Sequence, residues 1–439
     1  MMPAARKALI AVLLAFGLAH PGPAPADLIG HGGMVRAIAV SPDGTKVLTA
    51  SFDYTARLWD FGSQSPLGVL EGHEGPVNGA AFLPDSARAV TASDDRTAIL
   101  WDLAAFKPVR RFAGHDHKVM GVAVSPDGTM LATAAWDRTI RLWDIGSGRL
   151  MRTITHASPL NAVAFAEGGA AVVAGDHNGL LAAWNVATGA LLGKMEGHER
   201  GITQLTVSRD GARVLSASID KTVRLWEVAT QRELRAFAHH EAPVYAVAFA
   251  PDGKDGLSAG REGFLVRWDL ADGKIVRQIR AHERNIWTVA VTPDGRFAVT
   301  GSSDEAARVW HLGTGDRIGT QDDSPDEPKP WLTSPHPGAK LFTKCARCHA
   351  VNANGPKRSG PHLAGLFGRR AGSVADYNYS AALTGATFEW NEQTLFELFH
   401  RGPDVMLPGT KMPVQRVPND EQLRQLIAYL KELTGTKAN

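Results

Sequence analysis

The residues with the most chemical potential in this chain stand together at Cys345-Ala346-Arg347-Cys348-His349. Two residues between the cysteines let one helical turn present both thiols to the edge of a macrocycle, with the next side chain, an imidazole, pointing at its centre. That is the attachment signature of a c-type haem: Cys345 and Cys348 add to the vinyl groups and His349 binds the iron. The same run could serve as a zinc half-site or a dithiol redox pair. The chain, however, has 2 Cys in 439 residues, both in this run, so no second pair is left to complete a four-thiolate site.

A chain of 439 residues is too long for one ordinary core, so at least two domains must position these groups. Apolar residues make up 44% and charged residues 21%, as in soluble globular proteins. A net charge of +2 gives no electrostatic case for nucleic acid. Arg6 and Lys7, the apolar run Ala8 to Ala19 and the small-x-small pattern Ala24-Pro25-Ala26 form a secretory signal, expected to be cut after Ala26. The apolar run is too short to span a bilayer and breaks at His20-Pro21, so no integral membrane segment is expected after cleavage. Haem attachment takes place on the far side of the bacterial inner membrane, so signal and motif both point to the periplasm.

Between the signal and the haem motif the chain repeats itself. His31, His73, His115, His156, His198, His240 and His282 open successive units of 42 residues, once 41, and Trp59, Trp101, Trp143, Trp184, Trp226, Trp268 and Trp310 close them. Each unit reads as β throughout: Val35 to Val40 alternates, Ser41-Pro42-Asp43-Gly44 turns, Lys46 to Ser51 returns, Thr55 to Asp60 is a third strand and Leu67 to Leu70 a fourth. Gly-His at 30, 72, 114 and 197 and Trp-Asp at 59, 101, 143 and 268 resemble the WD40 family, which implies a closed seven-bladed all-β propeller over residues 27–320. The resemblance implies that each repeat histidine bonds an aspartate in the turn before the third strand, here Asp53, Asp95, Asp137, Asp220 and Asp304, and is structural. Blades four and six depart, with Asn178 and Glu262 in that place. Asp316 to Thr320 is expected to complete blade seven, with Leu28 and Ile29 as a minor addition.

Gln321 to Pro337 is acidic and proline-rich and reads as an extended spacer in which Trp331 is a candidate for docking on a domain. From Gly338 to the end, residues 338–439, the chain resembles an all-α class I cytochrome c. The match is carried by Gly338 to Lys344, by Ser359 to Arg369, by Pro408-Gly409-Thr410-Lys411-Met412 and by Asp420 to Leu433, whose Leu423, Leu426, Ile427 and Leu430 share one helix face. The resemblance implies one haem c with thioethers at Cys345 and Cys348, and His349 and Met412 as axial ligands 63 residues apart. It also implies that the Pro361 carbonyl accepts from the proximal imidazole, that Arg369, Tyr379 and Trp390 contact propionates, and that Thr410 belongs to the cofactor site. Gly338 and Phe342 would cross the last helix at Leu426 and Tyr429. Leu383 stands where the family commonly has a polar residue, an extra residue lies in His400 to Asp404, and Met406 is a rival thioether outside the Met412 loop.

Two strong-field ligands leave iron no open position, so the expected chemistry is one-electron transfer, without substrate turnover of its own. Lys340, Lys344, Lys357, Arg358 and Lys411 are candidate docking charges for redox partner proteins, and the propeller is expected to offer a face to a protein partner. Two other readings are a propeller oxidoreductase with a second cofactor, for which His117, His177, His239 and His311 are the only non-repeat propeller histidines, and a haem-based redox sensor.

Overall fold

The repeated units fold as four-stranded antiparallel sheets because their second and third strands are apolar on both faces and must be covered twice. In the first unit Val35–Val40, Lys46–Ser51, Thr55–Asp60 and Pro66–Glu71 pair in sequence order; the second strand is buried almost throughout and the fourth is largely exposed. The computed structural model describes residues 27–319, 330–346, 349–353, 360–375, 377, 379–408, 410, 412, 417 and 419–435; the expected export signal lies outside them. Seven such sheets make a seven-bladed propeller, and its core is a ring of seven inter-blade clusters rather than one centre. The cluster joining blade seven to blade one unites Leu28, Val35, Val47 and Trp59 with Val299, Ala307 and Val309.

A four-residue relay fixes six of the seven blades. In blade one the Trp59 indole donates to Thr49 Oγ1 at 2.8 Å, Thr49 meets His31 Nε2 at 2.7 Å, and His31 Nδ1 meets Asp53 at 2.8 Å. An indole nitrogen only donates. The hydroxyl proton is therefore directed at the imidazole, whose other nitrogen donates to the carboxylate, so both ring nitrogens are committed. The relay is built again with Thr91, Thr133, Ser216, Ser258 and Thr300 in the hydroxyl position, 18 residues after each histidine. In blade six Glu262 takes the place of aspartate in the relay, accepting from His240 at 2.9 Å and from the Glu241 N–H. Blade four is rearranged. Ala174 holds the hydroxyl position, His156 meets Asp176 through Nε2 at 3.0 Å, and Asn178 bonds Ser158 instead. The drift from Trp-Asp to Trp-Asn and Trp-His keeps an acceptor for the following turn, since Asn185 and His311 accept from the N–H of Thr188 and Thr314.

Blade seams carry a second reciprocal pattern. Arg110, Arg152, Arg235 and Arg277 on the outer strands each donate two hydrogen bonds to carbonyls in the last turn of the next blade, as Arg110 does to Ser147 and Gly146. Each turn beneath such an arginine has glycine at a positive φ, and a Cβ on Gly148 would sit 2.5 Å from Arg110. Where the outer strand has Gly68 or Gly193 instead, the turn residue is large, Phe106 or Gln231, and fills the space. Each seam thus holds one long side chain, from one blade or the other.

Ring closure is shared. Leu28–Ile29 pairs with Ala306–Ala307, and Arg317–Ile318 pairs with Val309–Trp310, so two dipeptides together form the outer edge of blade seven. The N-terminal piece is therefore an equal half of that edge rather than a minor addition, because Leu28 is fully buried and the Asp27 carboxylate, also buried, pairs with both Arg308 and Arg317.

The C-terminal unit is helical, with α1 (Pro330–Thr333), α2 (Ala339–Cys345), α3 (Ala381–Thr384), α4 (Glu392–Arg401), α5 (Pro403–Met406) and α6 (Asp420–Thr434). Over α1 the chain is helical where extended backbone was expected, because Trp331 buries its ring edge-on against Phe342 at 5.3 Å. Asn391 and Asn419 cap α4 and α6. Among the described residues no helix is long and apolar enough to cross a membrane.

Thr91→Val leaves the buried Trp101 N–H and the His73 ring nitrogen without partners and is expected to destabilise the propeller by roughly 2–4 kcal/mol, read as a shift in urea midpoint. Acid should unfold it in two stages. Burial holds His115, His240 and His282 below their ordinary 6.5, so their neutral forms stabilise the fold fully above that pH and less as pH falls through it. Burial alone would raise Asp53 and Asp304, but their histidines and local hydrogen bonds hold both at about 2. That contribution is complete above the ordinary 3.8 and is lost as pH falls toward 2, so denaturant midpoints measured from pH 8 to 2 should show two successive declines.

Candidate haem site

Helix α2 carries the first attachment residue into the domain core. It has a small residue ahead of its first turn, Gly338, where it crosses α6, and a Cβ at Gly338 would lie 2.2 Å from the Gln425 carbonyl oxygen. Phe342 packs edge-on against Tyr429 at 5.9 Å, one helical turn along. Cys345 at the end of α2 is buried in the same cluster, and the His349 N–H bonds the Cys345 carbonyl at 3.0 Å. Cys348 lies outside the described residues, as do Lys357, Arg358, Lys411 and the side chain of Lys344; Lys340 is exposed.

His349 Nδ1 lies 2.7 Å from the Pro361 carbonyl oxygen, which can only accept. The proton is therefore on Nδ1, and Nε2 is the nitrogen that would ligate a metal. The loop that supplies this carbonyl is pinned back by the Leu363 N–H to Ala350 at 2.8 Å. In the methionine loop the Thr410 N–H bonds Leu407 and the Met412 N–H bonds the Thr410 hydroxyl at 3.2 Å, and Met412 packs half-buried against the domain core. Met406 is the last residue of α5 and packs on the same core. Within His400 to Asp404, Gly402 with a φ of 101° ends α4 and starts α5.

Arg369, Tyr379 and Trp390 are drawn together from separate stretches. The Trp390 N–H bonds the Arg369 carbonyl at 2.9 Å, the Tyr379 hydroxyl accepts from the Val374 N–H at 3.3 Å, and Arg369 and Tyr379 are close enough to influence each other's charge. Burial pushes the Tyr379 phenol up and the Arg369 guanidinium down. Arg369 donates to the Ala364 carbonyl at 2.9 Å and reaches no carboxylate among the described residues. Ser380, which the sequence reading passed over, has a buried hydroxyl without a partner. Its position beside Tyr379 was the available signal. A half-buried cation, a phenol, an indole and an orphaned hydroxyl, in a domain whose apolar core includes Leu398 and Leu407, fit an anionic-edged macrocycle such as haem. Arg369, Tyr379, Ser380 and Trp390 would hold its carboxylates, and the bound group would supply a one-electron iron couple.

The non-repeat propeller histidines do not gather into one site. His117 and His177 flank the Trp136 ring at 5.7 and 6.2 Å, His239 lies against Trp268, and His311 caps a turn.

Fold and site together define a β-propeller joined to a haem-binding electron-transfer domain. The family model for the WD domain, G-beta repeat, matches residues 24–60, 64–102, 106–144, 189–227, 231–269 and 273–311, passing over only the rearranged fourth blade. The model for cytochrome c matches residues 336–434. Among curated proteins, the cytochrome c of Nigella damascena is 44% identical over 99 residues, which are 22% of this chain and 88% of that protein. The cytochromes c of Gibberella zeae and Ginkgo biloba are 45% and 40% identical over 98 and 102 residues, 22% and 23% of this chain and 92% and 89% of theirs. The chain belongs to the WD40-repeat family and ends in a domain of the cytochrome c family.

Because a methyl group at Gly338 would meet backbone rather than a flexible side chain, Gly338→Ala is expected to destabilise the cytochrome domain by about 3 kcal/mol while leaving propeller unfolding unchanged. Unfolding followed at the haem absorption and by far-ultraviolet dichroism separates the two.

Proposed function

We propose that this protein is an exported one-electron carrier in which a single haem c, bound through Cys345 and Cys348, is ligated by His349 and Met412, while the propeller docks the protein that gives or takes the electron. The observation that carries this reading is the 2.7 Å contact from His349 Nδ1 to the Pro361 carbonyl oxygen. It fixes the tautomer, holds the ring's orientation and raises the basicity of the ligating nitrogen. The chain's remaining work is electrostatic. Arg369, Tyr379, Ser380 and Trp390 would hold the carboxylates of the bound group, and the apolar core that includes Leu398 and Leu407 would keep water away from it, which favours the less charged ferrous state. The signal-like residues 1–26 support export to the periplasm, the compartment in which attachment to Cys345 and Cys348 would take place.

Protein purified from the periplasm should begin at Asp27, carry one haem per chain and show a methionine-to-iron charge-transfer band when oxidised. Met412→Ala should abolish that band, lower the reduction potential and admit carbon monoxide to the reduced iron, whereas Met406→Ala should do none of these. Loss of the band in the Met406 variant alone would reassign the sixth ligand.

A further inference from the structure

Two positions recur at one end of the central channel, the second residue of each innermost strand and the residue that follows each second strand. Neither belongs to the histidine relay. On one side of the mouth the Tyr245 and Trp287 rings stack 4.2 Å apart and nearly parallel, and the Trp287 N–H is tied to Ser303 at 2.7 Å. The Arg36 guanidinium lies 5.4 Å from the Trp287 ring centre. Next to it, Asp94 receives the Lys118 ammonium at 2.5 Å on one oxygen and the Asn78 amide at 2.8 Å on the other. Lys118 in turn lies 5.5 Å from the Trp136 ring centre, and the Trp136 N–H is fixed to Asn161. The contacts form one continuous arc that links blades six, seven, one, two, three and four.

Unlike the seven repeat tryptophans, which are all buried, Trp136, Trp287 and Tyr245 are only half-buried, so they offer ring surface at the mouth. Asp94 has both oxygens engaged and balances Lys118. Arg36 makes no hydrogen bond to any described residue, although the Asp94 charge reaches it, and burial works against its own charge. A guanidinium carries five donors in a planar fork matched to a carboxylate, and its contact with an indole face uses none of them as hydrogen-bond donors. The local excess is therefore cationic and lies beside an aromatic platform. The surrounding loops carry both signs, among them Glu74, Glu241, Arg96 and Arg138, so the selectivity belongs to the mouth and not to the whole face.

We infer that the channel mouth around Arg36 and Trp287 is a binding site for an extended acidic segment of a partner protein, with a carboxylate on the Arg36 guanidinium and an aromatic side chain on the Tyr245–Trp287 stack. The inference rests on the reading of the propeller as a docking platform and names the chemistry of what docks.

The test uses the full-length holoprotein, calorimetry and two blocked peptides, one alternating Glu with Tyr and its counterpart alternating Lys with Tyr. The Glu-Tyr peptide is expected to bind, with affinity that falls with added salt, and Arg36→Gln and Trp287→Ala should each weaken it roughly tenfold or more. Arg36→Lys should restore part of the loss, and unchanged thermal midpoints would show that these variants are folded. Equal binding of the Lys-Tyr peptide, or undiminished binding by folded Arg36→Gln, overturns the inference. Lys-Tyr binding that depends on Trp287 would overturn the acidic chemistry while leaving the docking reading in place, and binding of neither peptide would overturn the site itself. Haem reduction by a small-molecule reductant, measured on the same samples, reports on the electron carrier independently of all these outcomes.

Discussion

No blade of a propeller is stable alone. Each is a sheet with two apolar faces, and each face is covered only by a neighbour, so every inter-blade cluster depends on the ring being closed. Closure here rests on a buried carboxylate. Asp27 bridges Arg308 and Arg317, one on each of two strands of blade seven, and the first of these contacts joins residues 281 apart in the chain. Arg308 has Asp304 as a second partner, whereas Asp27 is the one carboxylate paired with Arg317 among the described residues, so its loss would cost more than that of a surface ion pair. The short length of the two edge dipeptides is tolerable because the charges hold what two ladder pairs could not.

With the ring closed, the sequence can divide its polar residues cleanly between structure and surface. The relay histidines and hydroxyls are consumed inside the blades, and the outer arginines are consumed at the seams. Among the groups not used in this way are the Arg36 guanidinium over Trp287 at the channel mouth and the buried Ser380 hydroxyl beside Tyr379 in the cytochrome domain. In both places a cation without a matching carboxylate stands beside aromatic rings. Polar groups left over in an otherwise satisfied structure are the physical mark of a ligand, because burial without a partner is otherwise selected against.

Much of this was legible in the residues. The 42-residue period gave seven blades, and the Cys-x-x-Cys-His run with Pro361 and Met412 at matching separations gave the geometry tested at His349. Three features escaped. Thr49 and its counterparts sit on fully buried strands, where a small hydroxyl residue among alanines and valines carries no periodic signal of its own. The departure of blade four was legible at Asn178, but its histidine's partner, Asp176 at the end of the second strand, was not. The exchange of Arg110 over Gly148 for Gly68 under Phe106 is a relation between blades and shows only when two repeats are set side by side in space.

The burial of Trp331 has a consequence for reach. It anchors the cytochrome end of the tether, as the pairing of Ile318 anchors the propeller end, so only the residues between those two points can span the gap. At about 3.5 Å per residue they extend no further than about 45 Å. A molecule held on the propeller within that radius meets the haem domain not at its bulk concentration but at an effective concentration in the millimolar range. The encounter becomes intramolecular, and a cytochrome with weak intrinsic affinity for its redox partner can still exchange electrons with it at every visit.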